Sequence, residues 1–136
     1  MNNLALLLMD QGKLEEAEPL MREAVEGFRE VHGPRHPNTL NMAGNLADCL
    51  RELGRLEEAQ QVLGATPAVV AETLGPHNIL TLITRAKAAR LRHAQPDGAA
   101  AGAEELARVV AEMSEALGAE HQQTRKYADA LAAMRA

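Results

Sequence analysis

Apolar and polar residues alternate along the chain with the period of an α-helix. From Leu14 to His32, the apolar residues recur three and four positions apart, while glutamates and arginines take the positions between them. Residues at this spacing share one face of a helix, so the segment is predicted to be an amphipathic helix with a buried stripe. Gly12 and Gly54 favour the left-handed conformation that ends a helix, and each therefore marks a turn between two helices.

The same periodicity predicts seven helices. Their expected ranges are 2–11, 14–32, 37–53, 56–73, 81–93, 100–117 and 121–134. Pro19 lies inside the second helix, where we expect a bend because its ring displaces the carbonyl four residues earlier. Gly64 and Pro67 lie inside the fourth helix, where they predict a kink or a short break. The break could be a hinge or an irregularity that the fold tolerates. We favour the second interpretation.

A repeat of 42 residues underlies this pattern of helices. Nine of fifteen residues are identical between residues 3–17 and 45–59, which lie 42 residues apart. A fixed period of this length indicates stacked helical units that bury apolar surface against one another. We expect one repeat domain over residues 1–136, with units at about 1–36, 37–78 and 79–120 and a terminal helix at 121–136. The first helix lacks about a turn at its start, so we expect the chain to be a fragment of a longer array.

The composition narrows the classes of function that remain. The net charge is −5, the aromatic residues are Phe28 and Tyr127, and charges of both signs are interleaved along the predicted helices. Nucleic acid is therefore not an expected partner, because the sequence has no basic stripe and almost no aromatic surface on which bases could stack. Cys49 is the only cysteine, which fits a reducing compartment. No apolar run reaches membrane-spanning length, so we expect a cytoplasmic protein that does not enter the membrane.

Three histidines lie in the predicted linkers between repeat units. His36, His77 and His121 are roughly one repeat apart, and nothing in that spacing makes two of them converge on a metal ion. Hydrogen bonds at helix entries, or plain exposure to solvent, explain them better. We therefore expect no metal site.

Two pairs of glutamates and the lone cysteine are the remaining candidates for chemistry. Adjacent helical residues such as Glu15 and Glu16, or Glu57 and Glu58, point about 100° apart and do not share a site. As acids in the first turn of a helix, they favour its positive end. Cys49 is expected to pack in the core. Because no nucleophile, base and oxyanion donor can be placed together, we expect no enzyme activity and no cofactor.

The spacing of small and apolar residues around each turn resembles that of tetratricopeptide repeats. The matching residues are Leu4-Ala5, Gly12, Ala17, Met21 and Ala24 in the first unit and Leu46-Ala47, Gly54, Ala59 and Leu63 in the second. The 42-residue period and the segments GKLEEAEPL and EGFRE resemble the form of this repeat found in kinesin light chain and its relatives. The resemblance implies a right-handed α-solenoid of antiparallel helix pairs, with the first helix of each pair lining a concave groove. The third unit departs from the pattern at Arg92 and Gly102.

One polar position of that groove recurs with the repeat. Asn3 and Asn45 are 42 residues apart, and Lys87 takes the same place in the third unit. The two asparagines either support the stacking of repeats or, as the family resemblance implies, hold the backbone of a bound peptide through an amide donor and acceptor. The expected groove residues are Asn3, Leu6, Met9, Asn41, Asn45, Asp48, Arg51, Lys87 and Arg90.

Two functions are compatible with these observations. The first is a scaffold that binds a partner peptide or helix in the groove. The alternative is a self-associating or regulatory repeat arm of a larger signalling assembly. In that case Leu4, Leu7 and Leu8, which have no preceding helix in this sequence, would contact other repeats. Both functions involve protein partners, and the state of association in solution distinguishes them.

Overall fold

The computed structural model describes residues 2–135, with side chains from Leu4 onwards, and this part of the chain is all-helical. The helices are α1 (Asn2–Asp10), α2 (Leu14–His32), α3 (Pro37–Glu52), α4 (Leu56–Leu63), α5 (Thr66–Leu74), α6 (Ile79–Ala94), α7 (Ala99–Leu117) and α8 (Gln122–Arg135). The all-α prediction is confirmed, and the predicted fourth helix is divided into α4 and α5. Between residues 2 and 135, no helix is both long enough and apolar enough to cross a membrane.

The chain forms two compact units, Met1–Thr66 and Pro67–Ala136. In unit 1, α2 packs against α1 and α3, and α3 also packs against α4. Because short turns connect these helices, consecutive helices run antiparallel. α3 is enclosed by its neighbours, and ten of its sixteen residues are buried.

The same turn ends α1 and α3, the first helices of the two pairs in unit 1. The Gly12 amide donates to the carbonyl three residues earlier at 2.9 Å, and the Lys13 amide donates to the carbonyl five residues earlier at 2.8 Å. The amides of Gly54 and Arg55 repeat both bonds, at 3.0 and 2.8 Å. This pair of bonds is a Schellman motif, which satisfies the last carbonyls of a helix through a residue with positive φ. Gly12 and Gly54 were therefore correctly predicted to be the turns.

Small residues allow the helices of unit 1 to approach one another. Ala5 and Ala17, and their repeat equivalents Ala47 and Ala59, are each at most 3% exposed. Larger apolar side chains fill the space beside these alanines, namely Met21, Val25, Leu40, Met42, Leu46, Cys49, Leu50 and Leu63. Burial of this kind stabilises the fold by about 25 cal/mol per Å² of apolar surface.

Gly64 produces the break between α4 and α5. Its φ of +45° and ψ of −125° belong to a region that residues with a side chain rarely adopt. Pro67 then lies in the first turn of α5, where its missing amide costs no helical hydrogen bond. The predicted break is confirmed, and the hinge interpretation stays a hypothesis. α2 continues unbroken through Pro19, where a bend also stays a prediction.

Unit 2 is organised around the pair α6 and α7, and α7 also packs against α8. Its core consists of Leu82, Ala86, Ala89, Leu106, Val109, Met113 and Tyr127. α6 and α7 approach closely at Gly102, where a Cβ atom would lie 2.5 Å from the His93 nitrogen and 2.7 Å from the Ala89 oxygen. Gly102 departs from the repeat pattern because this crossing leaves no room for a side chain.

Candidate functional site

The accessible face of α3 carries amide and charged side chains. Asn41 is exposed and Asn45 is half-buried, whereas Asp48 is 8% exposed. The Arg51 side chain is 15% exposed. Spacings of four, three and three residues place these side chains along one side of the helix. We refer to Asn41, Asn45, Asp48 and Arg51 as the α3 strip.

Arg51 and Asp48 form the charged end of the α3 strip. Nε of Arg51 lies 3.6 Å from Oδ1 of Asp48, which is too long for a hydrogen bond. This Nε is buried, and within residues 2–135 no acceptor bonds to it. Because this Nε is shielded from solvent, a partner could reach only the rest of the Arg51 side chain, which is 15% exposed. Asn45 and Asp48 each interact with another group in the fold, so a structural role for both stays open.

α1 supplies two further residues of the predicted groove. Leu6 and Met9 are both half-buried. They occupy the positions on α1 that Asp48 and Arg51 occupy on α3, 42 residues later. The side chain of Asn3 lies outside the described residues, so its role stays a prediction.

The last two predicted groove residues, Lys87 and Arg90, lie on α6 in unit 2. Arg90 is half-buried, whereas Lys87 is 5% exposed and interacts with another group in the fold. Ile83 stands at the repeat position of Asn41. The face of α6 therefore does not reproduce the amides of the α3 strip.

Two of the linker histidines are helix caps. Nδ1 of His36 accepts a hydrogen bond from the amide two residues later at 3.1 Å, and Nδ1 of His121 does the same at 3.1 Å. Asn78 performs this role at the start of α6, through Oδ1 at 2.9 Å, and His77 is exposed. Helix capping and exposure to solvent, the two roles predicted for these histidines instead of metal binding, therefore both occur. Between residues 2 and 135, no cluster of three or more His, Cys, Asp or Glu side chains could hold a metal ion.

Cys49 is a packing residue, as predicted. It is fully buried, and its Sγ donates to the carbonyl oxygen of Leu14 at 3.5 Å. Burial raises the pKa of the thiol to about 11. Because the thiolate is the nucleophile, very little of this side chain is in the reactive form at neutral pH.

Ion pairs link residues that are far apart in sequence and lie on different helices. On α6, Arg85 donates to Glu112 at 2.9 Å and to Glu105 at 3.0 Å, and both acceptors lie on α7. The hydrogen bond from Arg85 lowers the pKa of Glu112. In unit 1, Arg22 of α2 lies 3.4 Å from Glu58 of α4. The glutamate pairs lie in the first turns of α2 and α4, as predicted.

Two cavities in unit 1 lie away from the α3 strip. One, of about 210 Å³, lies between α2, α3 and α4 and is lined by Arg22, Val25, Glu26, Arg29, Ala43, Leu46, Gln61 and Val62. The other, of about 400 Å³, is lined by Gly12, Lys13, Leu14, Glu15, Glu16 and Leu53. A partner of the α3 strip would therefore bind a helix face and not one of these cavities.

Comparison with known proteins agrees with this geometry. No match was found among curated proteins. The sequence profile of the tetratricopeptide repeat matches residues 1–65, which include both Schellman turns and the α3 strip. Repeats of this family generally mediate protein–protein interactions. Residues 1–65 of the chain are therefore similar to tetratricopeptide repeats.

Proposed function

We propose that this chain is a protein-interaction module in which the α3 strip, together with Leu6 and Met9 of α1, binds an extended segment of a partner protein. The composition of the α3 face carries this proposal. α3 is buried along most of its circumference, and the side that stays accessible presents the amides of Asn41 and Asn45 and part of the Arg51 side chain. These groups recognise a polypeptide without any catalytic step.

The spacing of the amides suits a peptide backbone. Asn41 and Asn45 are four residues apart, which is a rise of about 6 Å along a helix. Alternate residues of an extended peptide are about 6.6 Å apart, so both amides can reach backbone groups of the same peptide. Each amide offers donors and an acceptor, which match a backbone C=O and N–H whatever the peptide's side chains. Affinity at these positions should therefore be independent of the partner's sequence.

Selectivity is proposed to lie with the residues that vary between repeats. Arg51 favours an acidic residue or a terminal carboxylate, because it places a positively charged, partly accessible side chain at the end of the α3 strip. Leu6 and Met9 favour an apolar side chain beside it. The proposal also includes the remaining predicted groove residues Asn3, Lys87 and Arg90 as further partner contacts.

Peptide selection from a random library tests this proposal. Peptides selected on the natural protein should be rich in acidic residues, and those selected on Arg51→Glu should be rich in basic residues. Arg29→Glu is the matched control, because it makes the same change of charge at an exposed position on α2, outside the strip. If both variants shift the selected charge equally, the net charge of the protein governs selection and the assignment to Arg51 is wrong. Melting curves of both variants establish that they are folded.

Self-association is the second candidate function, and the exposed face of α1 favours it. Leu4 and Leu7 are each 51% exposed. At the same repeat positions on α3, Leu46 is 2% exposed and Cys49 is fully buried. An apolar face of this kind commonly marks a contact with another protein. Light scattering after size exclusion should then show a dimer that Leu7→Glu dissociates, and a monomer at every concentration would contradict the candidate.

We further propose that the repeats are of the kinesin light chain-like type and that the protein is cytoplasmic. The caps His36, Asn78 and His121 support the first point, since they lie 42 and 43 residues apart. The single buried thiol of Cys49 supports the second, because it suits a reducing compartment.

A further inference from the structure

Three aromatic rings form a stacked column at the corner between α2 and α3. The centroids of Phe28 and His32 are 6.0 Å apart with an interplanar angle of 23°. Those of His32 and His36 are 4.5 Å apart with an angle of 24°. The column begins on the last turns of α2 and ends on the residue that caps α3. It therefore connects the corner to the helix that carries the α3 strip.

The cap fixes the protonation state of His36. The backbone amide of Asn38 can only donate, so Nδ1 of His36, 3.1 Å away, must present a lone pair. The neutral ring then carries its proton on Nε2. No acidic residue lies in the first turn of α3, so no carboxylate there can replace the cap. The geometry thus requires a neutral His36.

We propose that His36 is a pH-sensitive cap whose protonation loosens the first turn of α3 and weakens partner binding to the α3 strip. The part of this inference that concerns binding rests on the function proposed above. Protonation converts Nδ1 into a donor facing the donor N–H of Asn38, so the cap bond is lost. It also places a positive charge at the positive end of the α3 dipole. Both effects follow from the gain of a single proton by the imidazole.

The charged groups around the corner make His36 the sensitive member of the column. Arg29 and His32 occupy the last turn of α2, where positive charge is favourable at the carbonyl end of the helix. Arg35 adjoins His36 in the linker, and Glu30 on α2 is exposed. A positive charge on His36 would instead lie at the positive end of the α3 dipole, where it is unfavourable.

Unit 2 contains a matching corner that cannot titrate in this way. Asn78 caps α6 by accepting from the Leu80 amide at 2.9 Å. A threonine hydroxyl then donates to a glycine carbonyl in both corners, at 2.8 Å from Thr39 and at 2.7 Å from Thr81. The corners thus share a side-chain cap and a threonine bond, and α6 is an internal reference for α3.

Hydrogen exchange at single amides tests the inference without any partner. The measured quantity is the protection of the Asn38 amide relative to that of the Leu80 amide, each corrected for its intrinsic exchange rate. Between about pH 7.5 and about pH 5.5 this ratio should fall roughly fivefold, the factor that corresponds to a typical N-cap. In His36→Asn, which copies the natural cap Asn78, the ratio should stay constant. His77→Asn is the matched control and should behave like the natural protein.

The outcomes separate this inference from the proposed function. A constant ratio in the natural protein, or the same fall in His36→Asn, would overturn the pH-sensitive cap. If the ratio falls as expected, peptides selected on the natural protein should bind it several-fold more weakly at about pH 5.5 than they bind His36→Asn. Equal affinities there, with the exchange result intact, would overturn the link to binding and leave the cap in place. If no peptide binds at either pH, the proposed function fails and the cap still stands.

Discussion

Gly102→Ala should destabilise the protein, although alanine is the better helix former. Gly102 lies inside α7, where replacing glycine with alanine normally gains about 1 kcal/mol. The added Cβ would lie 2.5 Å from the backbone nitrogen of His93 and 2.7 Å from the carbonyl oxygen of Ala89. Both neighbours are backbone atoms of α6, so they cannot rotate away and α7 must shift.

The net change in the free energy of unfolding is the cost of the close contact minus the gain in helix propensity. Overpacking a close contact costs typically about 1–3 kcal/mol, and the shift of α7 also disturbs the buried residues Leu106 and Val109. After the gain in helix propensity is subtracted, a net loss of about 1–2 kcal/mol is expected. Gly27 on α2 is the matched control, because a Cβ there would meet nothing within 4 Å. Gly27→Ala should therefore stabilise the protein by about 0.5–1 kcal/mol.

Urea denaturation followed by circular dichroism measures both variants on the same scale. The midpoints should move in opposite directions, with similar slopes for the natural protein and each variant. A neutral or stabilising Gly102→Ala, alongside a stabilising Gly27→Ala, would show that a Cβ atom fits between α6 and α7. That result would refute the close approach of these two helices as the reason for a glycine at position 102.

The remaining predictions concern the break, the thiol and an ion pair. Gly64→Ala should destabilise the protein by roughly 1–3 kcal/mol, because an alanine there would have to adopt a positive φ. Pro67→Ala lies in the first turn of α5 and should change stability by less than about 1 kcal/mol. Urea midpoints measure both effects. Cys49 should react with a thiol reagent at pH 8 only as fast as the protein unfolds, since its side chain is fully buried and the pKa of its thiol is raised to about 11. Rapid labelling of the folded protein would contradict this. Because Arg85 lowers the pKa of Glu112, their ion pair should stabilise the protein at pH values above the ordinary pKa of a glutamate, ~4.3. This stabilisation should disappear as the pH falls through the lowered pKa of the folded state. In Arg85→Met, stability should lack that acid-dependent part, which is at most about 1 kcal/mol.

Features that depend on neighbouring residues in sequence were predictable. The Schellman turns at Gly12 and Gly54 follow from a glycine placed directly after an apolar helical stripe. The bounds of α2, Leu14–His32, are the predicted ones because its stripe and its flanking glycines agree. The break near Gly64 was also predictable, since glycine and proline act locally.

Features that depend on distant contacts were not predictable. Arg85 binds carboxylates 20 and 27 residues away, beyond the reach of any rule based on helical spacing. Gly102 was identified as a departure from the repeat, but its cause is the backbone of α6. The residue 42 positions after the cap His36 is Asn78. Asn78 therefore caps α6, and the adjacent His77 does not.

The sequence predicted which residues of the candidate site share a helix face. It did not predict how exposed their side chains are. Periodicity placed Asn41, Asn45 and Asp48 together on α3, and the structure has them on one side of that helix. It could not indicate that Asp48 and Lys87 are only 8% and 5% exposed, because burial depends on how neighbouring helices pack. It also could not indicate that Nε of Arg51 is buried without an acceptor.

Titration of Asn45→Ala with several unrelated peptides, each selected on the natural protein, tests the central claim most directly. If Asn45 holds a peptide backbone, the loss of two neutral hydrogen bonds should weaken every peptide by about 1–3 kcal/mol and to a similar extent. Gln61→Ala is the control, because it removes an exposed amide from α4 outside the strip and should leave all affinities unchanged. The melting temperatures of both variants should stay close to that of the natural protein. Unchanged affinities in Asn45→Ala, or a sharply lowered melting temperature, would show that the asparagine is structural and that the α3 strip is not the binding surface.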